Sequence, residues 1–339
     1  MLAVSCEKPG NLKILNKEKP ICRDGEILVR VRRVGICGTD VHAYRGEQPF
    51  FQYPRIFGHE IAGVVEEVRD PQSHLIPGDT VALIPYVSCG HCNACRRGKE
   101  NCCKNMVVLG VHADGGMQEW ITVKGRQLIK CDNLTLEQAV IMEPLSIGAH
   151  AVQRAAVSRH DTVLVIGTGP IGMAVAAFSR LAGARVLLMD SIWTRMSICG
   201  EWAMIDSSNF IPAGIEAIRR VEQITNGDMP DVVFDATGNT ASMERAIDYV
   251  AHGGRLVLVG VVSDSLTYKD SEMHKREISL LTSRNALRSD FVHVMEVLGG
   301  QELGVEGYIT HQASLADINL VWKAWFQEAS GIVKGILLV

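Results

Sequence analysis

Residues 162–172 read Thr162-Val163-Leu164-Val165-Ile166-Gly167-Thr168-Gly169-Pro170-Ile171-Gly172. The run TVLVI lacks the polar alternation of a half-exposed strand, so it predicts a strand buried on both faces of a parallel sheet. A G-x-G-x-x-G turn follows, and residues 171–181 continue with helical spacing. In such a turn Gly167 permits the tight reversal, Gly169 lets a pyrophosphate approach the backbone, and Gly172 lets helix and strand pack closely. Pro170 and Ile171 complete the turn, where the helix N-terminus faces the phosphates. A second buried strand, 184–190, ends in Asp190, 18 residues after Gly172. An acid at that place accepts hydrogen bonds from the adenosine ribose and repels a 2′-phosphate. Ser191 and Ile192 supply no cation, while Arg195 falls near the ribose edge. The stretch therefore predicts an NAD site.

Outward from this turn, 231–237 and 255–262 repeat the buried-strand form, each after a helical segment. Strands alternating with helices predict a doubly wound parallel α/β sheet. Before residue 145 the pattern is different. Residues 27–34 alternate apolar and basic, 63–68 and 79–83 flank the turn Pro77-Gly78-Asp79, and 119–123 is a further short strand. Two long loops, 35–62 and 86–106, interrupt this β-rich region. The tail carries helical patterns at 291–298 and 315–327 and a closing strand at 332–339.

The chain has 339 residues, 47% apolar and 21% charged, which excludes a mainly disordered protein and suggests about two domains. Its formal net charge of −4 lacks the basic excess of a nucleic-acid binder. No apolar run approaches the ~20 residues of a membrane helix, and residues 1–9 lack a signal-peptide core. A cytoplasmic protein that binds neither nucleic acid nor membrane is expected.

Five of the 10 cysteines crowd into 89–103. Cys89, Cys92, Cys95 and Cys103 have the spacing C-x2-C-x2-C-x7-C, and four thiolates close a tetrahedral shell around a structural zinc. Cys102 and His91 compete as ligands on spacing alone. A cubane iron–sulfur cluster and a nucleic-acid zinc ribbon are the rival readings of the lobe. Cys6, Cys22, Cys131 and Cys199 stand apart and read as small buried side chains. A second set is chemically mixed. Cys37 opens the first long loop, His59 closes it within Gly58-His59-Glu60, and Glu143 follows in Met142-Glu143-Pro144. Thiolate, imidazole and carboxylate leave a fourth metal position open, as catalysis requires.

These motifs, in this order over essentially the whole chain, resemble the zinc-dependent medium-chain dehydrogenase/reductase family. The resemblance implies a GroES-like catalytic domain over 1–146 and 285–339 and a Rossmann NAD-binding domain over 147–284. It implies two zinc ions per chain. Cys37, His59 and Glu143 would bind the catalytic ion, with Glu60 as second-shell or exchange ligand, and the four-cysteine lobe the structural one. Thr39 and His42 match the proton-relay positions. Glu143 stands where classical alcohol dehydrogenases have cysteine, as in the polyol and sugar-acid branch. Within that branch, 46–55, 84–87 (Ile84-Pro85-Tyr86-Val87), 110–116 and 283–286 resemble the L-galactonate 5-dehydrogenase group. Arg69 departs from the family, which usually has glycine in that turn.

The implied reaction is hydride transfer from a secondary alcohol of a sugar acid to NAD, from carbon 5 of L-galactonate to give D-tagaturonate. A sorbitol-like polyol, L-idonate and L-threonine are the alternatives. A substrate carboxylate needs a cation, for which Arg55 and Arg284 are the main candidates and Arg45 and Lys275 further ones. Asn285 and His274 could recognise hydroxyls. The resemblance also implies a homodimer or homotetramer.

Overall fold

The computed structural model describes residues 1–48, 51–326 and 331–339. Two compact units emerge. One comprises Met1–Glu143 and Ala286–Val339, the other Pro144–Asn285.

The first unit is built on an antiparallel sheet centred on Ile27–Ile36. On one side this strand pairs with Glu60–Val68, placing Gly35 opposite Glu60. On the other it pairs with Lys334–Leu338, placing Ile36 opposite Gly335. The closing strand thus returns from the far end of the chain to the middle of the sheet. Its apolar residues explain why: Ile336 and Leu337 are fully buried, opposite Gly35 and the equally buried Val34. Burying such a side chain contributes about 1.5–3 kcal/mol of transfer free energy. A separate three-stranded sheet joins Leu2–Lys8 to Asn11–Asn16 and Arg55–Ile56.

The stretch 35–62 is less of a loop than expected. It carries the helix Gly38–Arg45, and the strand at 63–68 begins earlier, at Glu60. The 315–327 pattern divides into a 3-10 turn, Leu315–Asp317, and the helix Ile318–Trp325, with Gln327 outside the described residues. Arg69 takes no left-handed conformation; its N–H donates to Glu26 and its carbonyl accepts from Gly25. A side chain there is accommodated without backbone strain.

The second unit is the doubly wound parallel sheet. Its strands lie in the order Phe210–Pro212, Arg185–Asp190, Thr162–Ile166, Val232–Asp235, Arg255–Leu258, Ser279–Thr282, all parallel. This is the 3-2-1-4-5-6 order of dinucleotide-binding domains. Leu164, Leu187, Val233 and Leu256 are fully buried at its centre. No helix among the described residues is long and apolar enough to cross a membrane.

Candidate metal centres and nucleotide turn

Cys37 precedes the helix Gly38–Arg45, which Asp40 caps by accepting the Cys37 N–H at 3.0 Å. Glu60 opens the neighbouring strand, and His59 immediately precedes it. Gly58 before them has φ +94°, a left-handed conformation suited to glycine. The segment 110–116 packs against that point so closely that a Cβ on Gly115 would lie 2.2 Å from the Gly58 carbonyl oxygen.

Donor atoms of Cys37, His59 and Glu60 lie within 4.8 Å of one another. Glu143, the first unit's last residue, stands outside that tight set but is buried close enough to act on His59. Burial opposes charge on His59, yet Asp40, Cys37 and Glu143 outweigh it and raise its pKa well above the usual value. The Asp40 carboxylate is 3.7 Å from His59 Nδ1, a ring nitrogen without a hydrogen-bond partner. Burial pushes the Glu143 carboxyl up to about 7 against the pull of His59, and Glu60 adds to the rise. A soft sulfur, an imidazole and two carboxylates, enclosed together, suit a divalent transition metal. The orphaned imidazole nitrogen and the crowded acidic groups fit zinc there.

Five residues to which the sequence assigned no role complete this centre. Asp40 is one. Lys334, 2% exposed, donates to both oxygens of Glu60 at 2.6 and 2.8 Å and to the Ile36 carbonyl at 3.2 Å. Gly35 makes room for this pair, because a Cβ there would lie 1.9 Å from Glu60 Oε2. The Tyr86 hydroxyl donates to Glu143 Oε1. Tyr308 is fully buried, and burial together with Glu60, Glu143 and Cys37 raises its pKa well above the usual value.

Thr39 and His42 sit three residues apart on the helix Gly38–Arg45, half-buried and exposed respectively. Positions i and i+3 share a helix face. His42 Nδ1 contacts Glu47 Oε2 at 2.8 Å, a partner also unforeseen. Of the segment 46–55, Pro49 and Phe50 lie outside the described residues. Arg55 donates through one terminal nitrogen to Asp114 Oδ1 at 3.3 Å, while its buried Nε has no hydrogen-bond partner. Arg45, His274, Lys275 and Arg284 are exposed, and Asn285 is left-handed at φ 52°.

The sulfurs of Cys89, Cys92, Cys95 and Cys103 form the second convergent group. Cys92 lies 3.5 Å from Cys95 and 4.0 Å from Cys103. Backbone N–H groups of Cys95 and Lys104 lower the Cys92 pKa, favouring the thiolate. Cys102 is exposed and outside the group, and His91 turns back to the Cys89 carbonyl. Neither competitor belongs to the site.

In the second unit Gly167 has φ +88°, and a Cβ on Gly172 would lie 1.7 Å from the Gly167 oxygen. A Cβ on Gly169 would meet nothing within 4 Å. Gly169 caps the 12-residue helix Pro170–Leu181, so its open side faces the positive end of the helix. Asp190 accepts from the Thr168 N–H at 2.7 Å and hydroxyl at 2.8 Å, and from the Ile192 N–H at 2.9 Å. It therefore braces the turn itself. Arg195 is half-buried in the first turn of the next helix, Trp193–Ala203.

Residues 23–133 match the model of the alcohol dehydrogenase GroES-like domain, and 170–299 that of the zinc-binding dehydrogenases. L-Galactonate-5-dehydrogenase of Escherichia coli K12 is 35% identical, over 99% of this chain and 98% of that protein. L-Idonate 5-dehydrogenase of Vitis vinifera is 32% identical over 85% of this chain and 80% of its own length. The solved structure of an alcohol dehydrogenase, RspB, from Escherichia coli CFT073, complexed with NADH, superposes with a TM-score of 0.93 at 30% identity. It covers 100% of this chain and 99% of its own. Nucleotide turn, mixed metal set and four-cysteine lobe agree with these likenesses: the chain belongs to the zinc-binding alcohol dehydrogenase family, with a GroES-like and a Rossmann domain.

Proposed function

We propose that this dehydrogenase oxidises a secondary alcohol of a sugar acid with NAD, its substrate being L-galactonate, converted at carbon 5 to D-tagaturonate. The observation that carries the reaction class is the convergence of half-buried Cys37 with buried His59 and Glu60, and buried Glu143 close by. Cys37, His59 and Glu143 hold the catalytic zinc, with Glu60 as the exchange carboxylate. Zinc supplies the Lewis acid that brings an alcohol's ionisation toward neutral pH, and NAD takes up the hydride. The chain's own residues handle the proton. Thr39 receives it from the substrate hydroxyl, and His42 delivers it to solvent from its exposed position, with Glu47 holding the ring. Cys89, Cys92, Cys95 and Cys103 hold a structural zinc, for two ions per chain. The same reading carries the expectation of a homodimer or homotetramer working in the cytoplasm.

The whole-chain likeness to an L-galactonate-5-dehydrogenase supports the substrate. Arg284 is the cation for its carboxylate, since a guanidinium can bind both oxygens at once. The test is a comparison of steady-state rates on L-galactonate, L-idonate, sorbitol and L-threonine at equal concentration. L-Galactonate should be fastest. Arg284→Met should reduce turnover of the acids about tenfold more than that of sorbitol, through lost positioning. Sorbitol turning over faster than either acid would overturn the assignment.

Gly167, Gly169, Pro170, Ile171 and Gly172 cradle the pyrophosphate, and Asp190 with Arg195 borders the ribose. Because Asp190 also braces Thr168 and Ile192, the cleaner variant is Ser191→Arg, which leaves those bonds in place. It should narrow the preference for NAD over NADP by about tenfold, equivalent to 1.4 kcal/mol. Equal kcat/KM for the two nucleotides in the unmodified enzyme would refute the role given to Asp190.

A further inference from the structure

The segment Ile84-Pro85-Tyr86-Val87 reaches the catalytic centre through the Tyr86 side chain. Its short strand, Tyr86–Val87, pairs with Val107–Val108. The Tyr86 ring meets Phe291 edge-on at 6.4 Å, and its hydroxyl donates to Glu143 Oε1, 57 residues away. The two carboxylates of the centre are consequently held in unlike ways. Both oxygens of Glu60 face the Lys334 ammonium. Glu143 is held by a neutral hydroxyl, through one oxygen. A carboxylate paired with an ammonium has its charge already compensated. One held by a neutral donor keeps its charge for a cation, and its orientation is fixed by that bond. Carboxylates that ligate metals are themselves oriented by such hydrogen bonds.

We propose that Tyr86 is the positioning residue of the catalytic metal site: its hydroxyl sets the rotation of Glu143 and so makes Glu143, rather than Glu60, the resident carboxylate ligand. The inference rests on the assignment of zinc to Cys37, His59 and Glu143. Tyr86 touches no reacting atom in this role.

The experiment uses enzyme whose catalytic zinc is exchanged for cobalt(II), with metal affinity measured by chelator competition and the visible bands recorded. Tyr86→Phe keeps the ring against Phe291 and removes only the hydroxyl. It should weaken metal binding about 10–100-fold and shift the cobalt bands. Glu143→Ala should weaken binding at least as much. Adding Tyr86→Phe to Glu143→Ala should change neither readout further, because the hydroxyl acts through that carboxylate. A purely structural tyrosine would add its own effect. An unchanged affinity and spectrum in Tyr86→Phe, beside a weakened Glu143→Ala, overturns the role of Tyr86 alone. So does a full additional loss in the double variant. An unchanged Glu143→Ala overturns the ligand assignment and the inference with it.

Discussion

Lys334→Met is expected to destabilise the protein by about 3–5 kcal/mol, the range for removing one partner of a buried ion pair. Lys334 is 2% exposed, and Glu60 is fully buried. With the ammonium gone, the fully buried Glu60 carboxylate loses the cation that compensates it, beside Glu143 and Cys37. A methionine matches the length of the lost side chain, so packing changes little. The variant Glu60→Gln with Lys334→Met should regain most of the loss, since no uncompensated charge then remains. Urea unfolding of the three proteins as purified measures this directly. A loss below about 1 kcal/mol in Lys334→Met would place this pair with exposed salt bridges, whose worth is small. The pair also bears on catalysis. If Lys334 is what keeps Glu60 from taking the fourth metal position, Lys334→Met should raise KM, because a carboxylate then competes with substrate.

What could be read from residues alone follows the distance over which each feature is built. The nucleotide turn lies within a single strand, loop and helix, so residues 162–172 were enough. The four-cysteine lobe closes within fifteen positions of sequence. Cys37, His59 and Glu143 needed the family resemblance, because nothing local ties residue 143 to residue 37. Lys334 lies 274 residues from Glu60, and their meeting depends on the closing strand entering the middle of the sheet. One signal was available: a lysine inside the apolar run Ile332-Val333-Lys334-Gly335-Ile336-Leu337-Leu338 is out of place unless it has a buried partner. Asp40 offered another, an acid three residues after Cys37 where a helix could begin. Tyr86 offered none, because its hydroxyl is explained only by Glu143 arriving from another element. The edge strands Phe210–Pro212 and Ser279–Thr282 escaped for a different reason. One is three residues long and ends in proline, and the other is largely exposed, so neither shows a buried-strand pattern.

Cys95→Ala is expected to have the largest effect of any single substitution. The thiolates of Cys89, Cys92, Cys95 and Cys103 converge on one point, and three of them are buried. Around them the chain has little regular structure: a four-residue helix, Asn93–Arg96, and a 3-10 turn, Glu100–Cys102. So short a helix is not stable by itself. The lobe must then be held by metal coordination, and zinc bound to such a site contributes about 10–16 kcal/mol. A three-thiolate remnant would surrender much of that and expose an open metal position. Elemental analysis should find one zinc per chain in place of two, and the protein should aggregate or melt at markedly lower temperature. Soluble, fully active Cys95→Ala with two zinc ions would refute the assignment. The unmodified enzyme gives the complementary result. Mild chelation should extract the zinc at Cys37 and His59 first, because that site keeps a position where a chelator can attach, whereas the four-thiolate shell has none. Activity should fall to background while one zinc per chain and the melting temperature of the lobe persist. Simultaneous loss of both ions would mean that the two sites do not differ in access, and the open-against-closed distinction drawn from their ligand sets would fail.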